Sequence, residues 1–135
     1  FIAYFYLIYK NYVKDVEGSM VNYENLDNHQ TGIHDYFKYL KFGFGRATDL
    51  ACIHIRRGRL SREDGVSIAK NLDGTFPWEY LGKSLKEILK PLDMTEDEFI
   101  KLCDKYTNKR IFQRDDSGQL IKNNDLSPIK INYDN

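Results

Sequence analysis

Most of the chain sorts its apolar and polar positions with a helical period. From Gly32 to Phe44 the apolar residues Ile33, Tyr36, Phe37, Leu40 and Phe44 recur at three- and four-residue spacing, which predicts an amphipathic helix. Thr31 stands where an N-cap belongs, and Gly43 and Gly45 mark the helix end. Tyr39 and Phe42 fall off the stripe, so this helix is expected to pack on more than one side. Ala47 to Arg57 reads as a second helix that stops at Gly58, although Cys52-Ile53-His54-Ile55 also alternates as a strand would. Ser61 with Asp64 is close to a capping box and starts a helix to about Leu72, ended by Asp73-Gly74. Pro77-Trp78 reads as a turn, and Ser84 to Leu89 as a short helix broken by Pro91. Thr95 and Glu98 make a full capping box for a helix to about Tyr106, with Phe99, Leu102, Cys103 and Tyr106 as its apolar face. Two short runs, 111–114 and 119–122, flank Asp115-Asp116-Ser117-Gly118 and predict a β-hairpin. The expected fold is mainly α with a short C-terminal β-hairpin.

Two segments stand apart from this pattern. Residues 15–31 are polar, with Gly18 and several asparagines, and read as a loop. Phe1 to Tyr9 are all apolar or aromatic. That run is far short of the roughly 20 residues a spanning helix needs, and it lacks the flanks of a secretory signal. It reads as a buried strand or helix whose packing partners lie upstream; the competing reading is an N-terminal segment folding on the chain's own core. The division that follows is a divergent hydrophobic segment over 1–14, a helical region over 15–110, and a hairpin and tail over 111–135.

At 135 residues, with 41% hydrophobic and 30% charged positions, the chain suits one folded unit with its own core. Twenty basic and twenty acidic side chains cancel, which argues against a protein built to coat nucleic acid or an anionic membrane. Cys52 and Cys103 have neither metal spacing nor a disulfide framework, so a reduced intracellular chain is expected, with Cys52 as a core thiol. The three histidines have no ligand spacing, and His34-Asp35 reads as a surface hydrogen bond more readily than an acid–base pair. No catalytic constellation and no metal site are expected. The helices from Ser61 and from Thr95 are too far apart for a helix-turn-helix, and the acidic start of the second would repel phosphates.

The neutral total hides an uneven distribution. Between Lys38 and Arg62 lie seven bases and one acid, Asp49, so this window is +6 and the rest of the chain −6. Five of the seven bases are arginine, the side chain suited to bidentate recognition of phosphate or carboxylate. Gly43-Phe44-Gly45-Arg46 lets backbone approach a ligand just before a helix N-terminus, where free N–H groups favour an anion. Lys41, Gly43, Gly45, Arg46, Asp49 and Arg56 are therefore the candidate phosphate- and substrate-binding residues. The plain alternative is a solvated basic face with Asp49 paired to Arg46 along the helix.

Several strings are also familiar. Residues 22–28 (NYENLDN), 32–36 (GIHDY), 41–49 (KFGFGRATD), 55–58 (IRRG), 60–64 (LSRED) and 78–82 (WEYLG) resemble the C-terminal part of the N-acetyl sugar amidotransferases. These belong to the PP-loop ATPase superfamily and act in bacterial surface-polysaccharide and lipopolysaccharide biosynthesis. The resemblance implies the C-terminal helical part of an α/β PP-loop ATPase, working in the cytoplasm. It implies ATP with magnesium, held mainly by an N-terminal part, activating a sugar acetamido carbonyl by adenylation. Ammonia from a glutamine amidotransferase subunit, with a cyclase-like subunit as companion, would then leave an acetamidino group. The substrate would be an N-acetyl sugar or its nucleotide-linked form, with no nucleic-acid or membrane partner. No Ser-Gly-Gly-x-Asp-Ser loop occurs in these residues, so the chain alone is expected to be inactive. The alternatives are a non-enzymatic helical interaction module, or a fragment of another PP-loop ligase such as a tRNA-modifying enzyme.

Overall fold

A computed structural model describes residues 18–21 and 24–132; the expected N-terminal segment over 1–14 lies outside them. Helix α1 spans Thr31–Phe42 and buries Tyr36, Tyr39 and Leu40, so it packs on two sides as its off-stripe tyrosine predicts. Gly43, at φ +77°, closes it by donating its N–H to the Tyr39 carbonyl at 2.8 Å, and Asn108 caps its end by donating to the Leu40 and Lys41 carbonyls. The N-cap is Gln30, not Thr31. Asn28 organises this end: its side chain accepts from the Gln30 N–H and its carbonyl from the Thr31 N–H.

Helix α2 (Arg46–Arg56) and helix α3 (Arg62–Leu72) form an antiparallel hairpin. The strand reading of 52–55 loses, because burial follows the helical spacing Ala47, Leu50, Ala51. Ser61 caps α3 by accepting from the Asp64 N–H at 3.0 Å, as the sequence predicts. Strands β1 (Glu79–Tyr80) and β2 (Lys83–Ser84) then make a small antiparallel hairpin that the hydrophobic pattern does not reveal. Its two-residue turn, Leu81-Gly82, takes positive φ at both positions. Helix α4 (Leu85–Leu89) runs into a 3₁₀ turn (Lys90–Leu92) containing Pro91, and helix α5 (Glu96–Tyr106) follows. Both α4 and α5 carry complete capping boxes, Ser84 with Glu87 and Thr95 with Glu98.

The expected C-terminal hairpin is present, with Arg114 paired to Leu120, and a second turn at 123–127 adds a third segment. The three segments are joined in a ring: the Gln113 N–H donates to Ile129, that of Ile129 to Ile121, and that of Ile121 to Gln113. One core unites them with the helices. Phe99 and Phe112, both 1% exposed, meet the aromatic face of α1, with Phe99 edge-on to Phe37 and Phe76 at 5.9 Å and Phe112 tilted against Tyr39 at 5.4 Å. Cys103 is buried there, and burial pushes its thiol up to about 12.

Three expected core positions are corrected. Cys52 is exposed, because it lies on the face of α2 turned away from Leu50 and Ala51. Tyr106 is 56% exposed at the last turn of α5, and Phe44, beyond the end of α1, is 41% exposed. No helix among the described residues is long and apolar enough to cross a membrane.

Candidate functional site

The site grows from the junction of α1 and α2. Phe44 and Gly45 are all that separate Gly43, the C-cap of α1, from Arg46, the first residue of α2. Helix α2 has no side-chain cap of its own, since Gly45 occupies the N-cap in an extended conformation. The Asp73 carboxylate supplies it from the far end of α3. Asp73 Oδ1 accepts from the Ala47 N–H at 3.0 Å and the Thr48 N–H at 3.4 Å, while Oδ2 accepts from the Thr48 hydroxyl. The anion expected at this helix start is therefore the chain's own carboxylate.

That contact explains both glycines. A Cβ on Gly45 would stand 2.6 Å from Asp73 Oδ1, and one on Gly43 would stand 3.0 Å from Ile111 Cγ2. They admit a carboxylate and a core side chain. Replacing Asp73 with Ala is expected to cost about 1–2 kcal/mol, the range for losing a helix N-cap, measured by urea unfolding. Asp73→Asn keeps one carbonyl acceptor and should recover part of the loss. Equal stability of Asp73→Ala and the parent chain would show that α2 does not depend on this contact.

The structure divides the six candidate residues rather than gathering them. Arg46 pairs with Glu24, and Lys38 of α1, not Arg46, pairs with Asp49. The intrahelical Arg46–Asp49 pair is thus replaced by two longer-range pairs. Burial lowers the Arg46 pKa, but the Glu24 hydrogen bond and charge, with Asp35 and Asp49 nearby, outweigh it and raise the guanidinium above its ordinary value. Its Nε is buried and has no hydrogen-bond partner. Arg46 lines a crevice with Asp35, Tyr80, Gly45 and Gly74, about 20 Å³ in size and sufficient for a water molecule. Tyr80 donates its hydroxyl to the Asn25 carbonyl at 3.3 Å; burial first, then the charge of Asp35, push it up to about 12.

Asp49 and Arg56 instead face a shallow hollow with Phe44 and Cys52. Lys41 is exposed, its ammonium 5.8 Å from the centre of the Phe42 ring. Gly43 borders a third space, an open groove of about 660 Å³ between the α1–α2 junction, α3 and the C-terminal segments. Aromatic Tyr39 and Phe44, the ammonium-bearing Lys70 and Lys130, the carboxylates of Asp73 and Asp125, and the amides of Asn71 and Asn123 line it. Residues 73–75 border both this groove and the Arg46 crevice. Glu24, Asp35, Asp73 and Tyr80 are the members that sequence reasoning missed. The signal for Asp73 was the helix start at Arg46, which lacks a capping residue of its own.

No curated protein matches the sequence. A family model does, over residues 8–125, and it describes the C-terminal domain of LPS biosynthesis protein WbpG-like proteins. That match takes in the α1–α2 junction, the hairpin and most of the C-terminal segments, and the chain belongs to this lipopolysaccharide-biosynthesis family.

Proposed function

We propose that the chain is the substrate-side part of an ATP-dependent N-acetyl sugar amidotransferase, which converts a sugar acetamido group to acetamidino in the cytoplasm. The ammonia would come from a glutamine amidotransferase subunit accompanied by a cyclase-like subunit. The observation that carries this reading is the 660 Å³ groove, a volume suited to a sugar or sugar nucleotide, with Arg46 on the far side of residues 73–75. Its lining has the chemistry a sugar needs: aromatic faces for C–H surfaces, amides, hydroxyls and the Asp125 carboxylate for sugar hydroxyls, and the ammonium groups of Lys70 and Lys130 for a phosphate. The KFGFGRATD string, which resembles the amidotransferases, borders the groove through Gly43, Phe44 and Thr48.

The ATP and magnesium implied by that resemblance do not fit the described residues. The N–H groups of Ala47 and Thr48 at the start of α2 are taken by Asp73, and no three His, Cys, Asp or Glu side chains are placed to hold a metal ion among the described residues. The part assigned to this chain is binding and orientation. Arg46, whose terminal N–H groups are partly exposed and hold Glu24, exchanges that carboxylate for the phosphate of a nucleotide-linked sugar. Lys41, Asp49 and Arg56 are a more distant charged surround.

Titration of the chain with UDP-N-acetylglucosamine by calorimetry tests this. Arg46→Ala is expected to weaken binding at least about tenfold, the effect of removing one charge-assisted hydrogen bond, and Arg46→Lys to restore it only in part. In the complete enzyme, the same variant should reduce formation of the product in which NH replaces the carbonyl oxygen, read by mass spectrometry. Unchanged affinity and unchanged product would overturn the assignment.

A further inference from the structure

The +6 window is not uniformly free. Two of its three members near the α1–α2 junction are in ion pairs, Lys38 with Asp49 and Arg46 with Glu24; Lys41 lies over the Phe42 ring. At the other end of α2 the situation reverses. Arg56, Arg57, Arg59 and Arg62 are all exposed, and none of the four is in an ion pair among the described residues. The neutralised charges thus sit at the base of the helical hairpin and the free charges at its tip.

The tip holds in place the backbone that carries these side chains. The Gly58 N–H donates to Ile55 at 3.0 Å and the Arg59 N–H to His54 at 2.9 Å, a Schellman closure with Gly58 at φ +66°. Three residues later Ser61 caps α3. The helices approach closely behind the tip, where Gly65, the buried residue of α3, leaves room for Ile55 and Ala51. The arginines are therefore presented on a short, hydrogen-bonded turn, which limits the ordering cost of binding.

We infer that this tip is a docking surface for a protein partner bearing an acidic patch with basic residues at its rim. Arginine forks match carboxylates in pairs. The α3 residues Glu63 and Asp64, also exposed, follow directly, so the surface has a basic centre and an acidic flank. That flank weakens the pull of the tip on a uniformly negative surface, whether bilayer or nucleic acid, whereas a mixed protein surface complements both signs. The tip also lacks a wedge for a bilayer. The exposed large apolar residues, Phe42, Phe44, Val66, Trp78, Leu92 and Tyr106, all lie outside 56–62, and Leu60 is half-buried. This surface does not rest on the sugar reading of the groove, with which it shares only Arg56.

The test uses the whole chain and a labelled short peptide with a glutamate-rich centre and flanking lysines, followed by fluorescence anisotropy. Arg56→Glu, Arg57→Glu, Arg59→Glu and Arg62→Glu together are expected to weaken binding about tenfold or more, and added salt to weaken it in the parent chain. Glu63→Lys should weaken the lysine-flanked peptide while strengthening a uniform glutamate peptide. If the fourfold variant loses its helical circular dichroism, Arg59→Glu with Arg62→Glu carries the same comparison. Peptide binding indifferent to these reversals would overturn the inference. So would tighter binding to phosphatidylglycerol vesicles or duplex DNA than to the peptide.

Discussion

Replacing Phe99 with Ala is expected to lower the free energy of unfolding by about 3–5 kcal/mol, the range for truncating a buried phenylalanine. Phe99 is 1% exposed and stands between Phe37 and Phe76, both ring pairs meeting near the perpendicular at 5.9 Å. Alanine removes the ring from both edge contacts and leaves a void that α1 on one side and the 76–85 segment on the other cannot close together. Domains of this size have only about 5–15 kcal/mol in hand, so the variant should be partly unfolded at moderate temperature. Urea unfolding monitored by circular dichroism measures the change as a lower midpoint at constant slope. Tyr106→Ala, on the same helix but 56% exposed, is the control and should shift stability by no more than about 0.5 kcal/mol. Equal effects of the two substitutions would refute the placement of the α5 core face.

Gly74→Ala is expected to cost about 2–5 kcal/mol, from two sources that can be separated. Gly74 has φ +82°, where a side chain costs about 1–2 kcal/mol. Its Cβ would also lie 2.5 Å from Cε1 and 2.7 Å from Cζ of Tyr39, an overpacking term of about 1–3 kcal/mol. Retreat of the Tyr39 ring is restricted by Phe112, tilted against it, and by the Lys130 ammonium 5.3 Å from its centre. Gly82→Ala isolates the first source, since Gly82 has φ +75° and open space around it. It should cost only about 1–2 kcal/mol in the same unfolding assay. A Gly74→Ala cost no larger than that of Gly82→Ala would mean that Tyr39 does not clamp this turn. The neighbouring Asp73 makes the position matter beyond stability, because moving it releases the start of α2.

Helices were legible wherever both a periodic face and a local cap were encoded. Thr95 with Glu98 announces α5 within four residues, and the side chains make those bonds; the same box at Ser84 and Glu87, which the structure shows, starts the short helix α4. What was not legible is what depends on residues far apart in sequence. Asp73 lies 26 residues from Ala47, and nothing local distinguishes a helix-ending aspartate from one that caps another helix. The Gly-x-Gly-Arg element reads as an opening for a ligand, because a small residue before an uncapped helix looks the same whether the anion is foreign or internal. The charge pairs follow the same logic. Asp49 prefers Lys38, which comes from another helix and is 11 positions away, over the local Arg46. The β1–β2 hairpin escaped because two-residue strands are too short to show alternation.

The ring formed by Gln113, Ile121 and Ile129 has a bearing on how the end of this chain comes apart. An ordinary hairpin frays from its open side, one bond at a time, and offers that side to other chains. Here each segment donates to one neighbour and accepts from the other, so no partner can leave without breaking two of the three bonds. Amide hydrogens at these three positions should therefore exchange with solvent at one common rate set by a shared opening event. The same closure leaves these three positions no open edge onto which a foreign strand could pair.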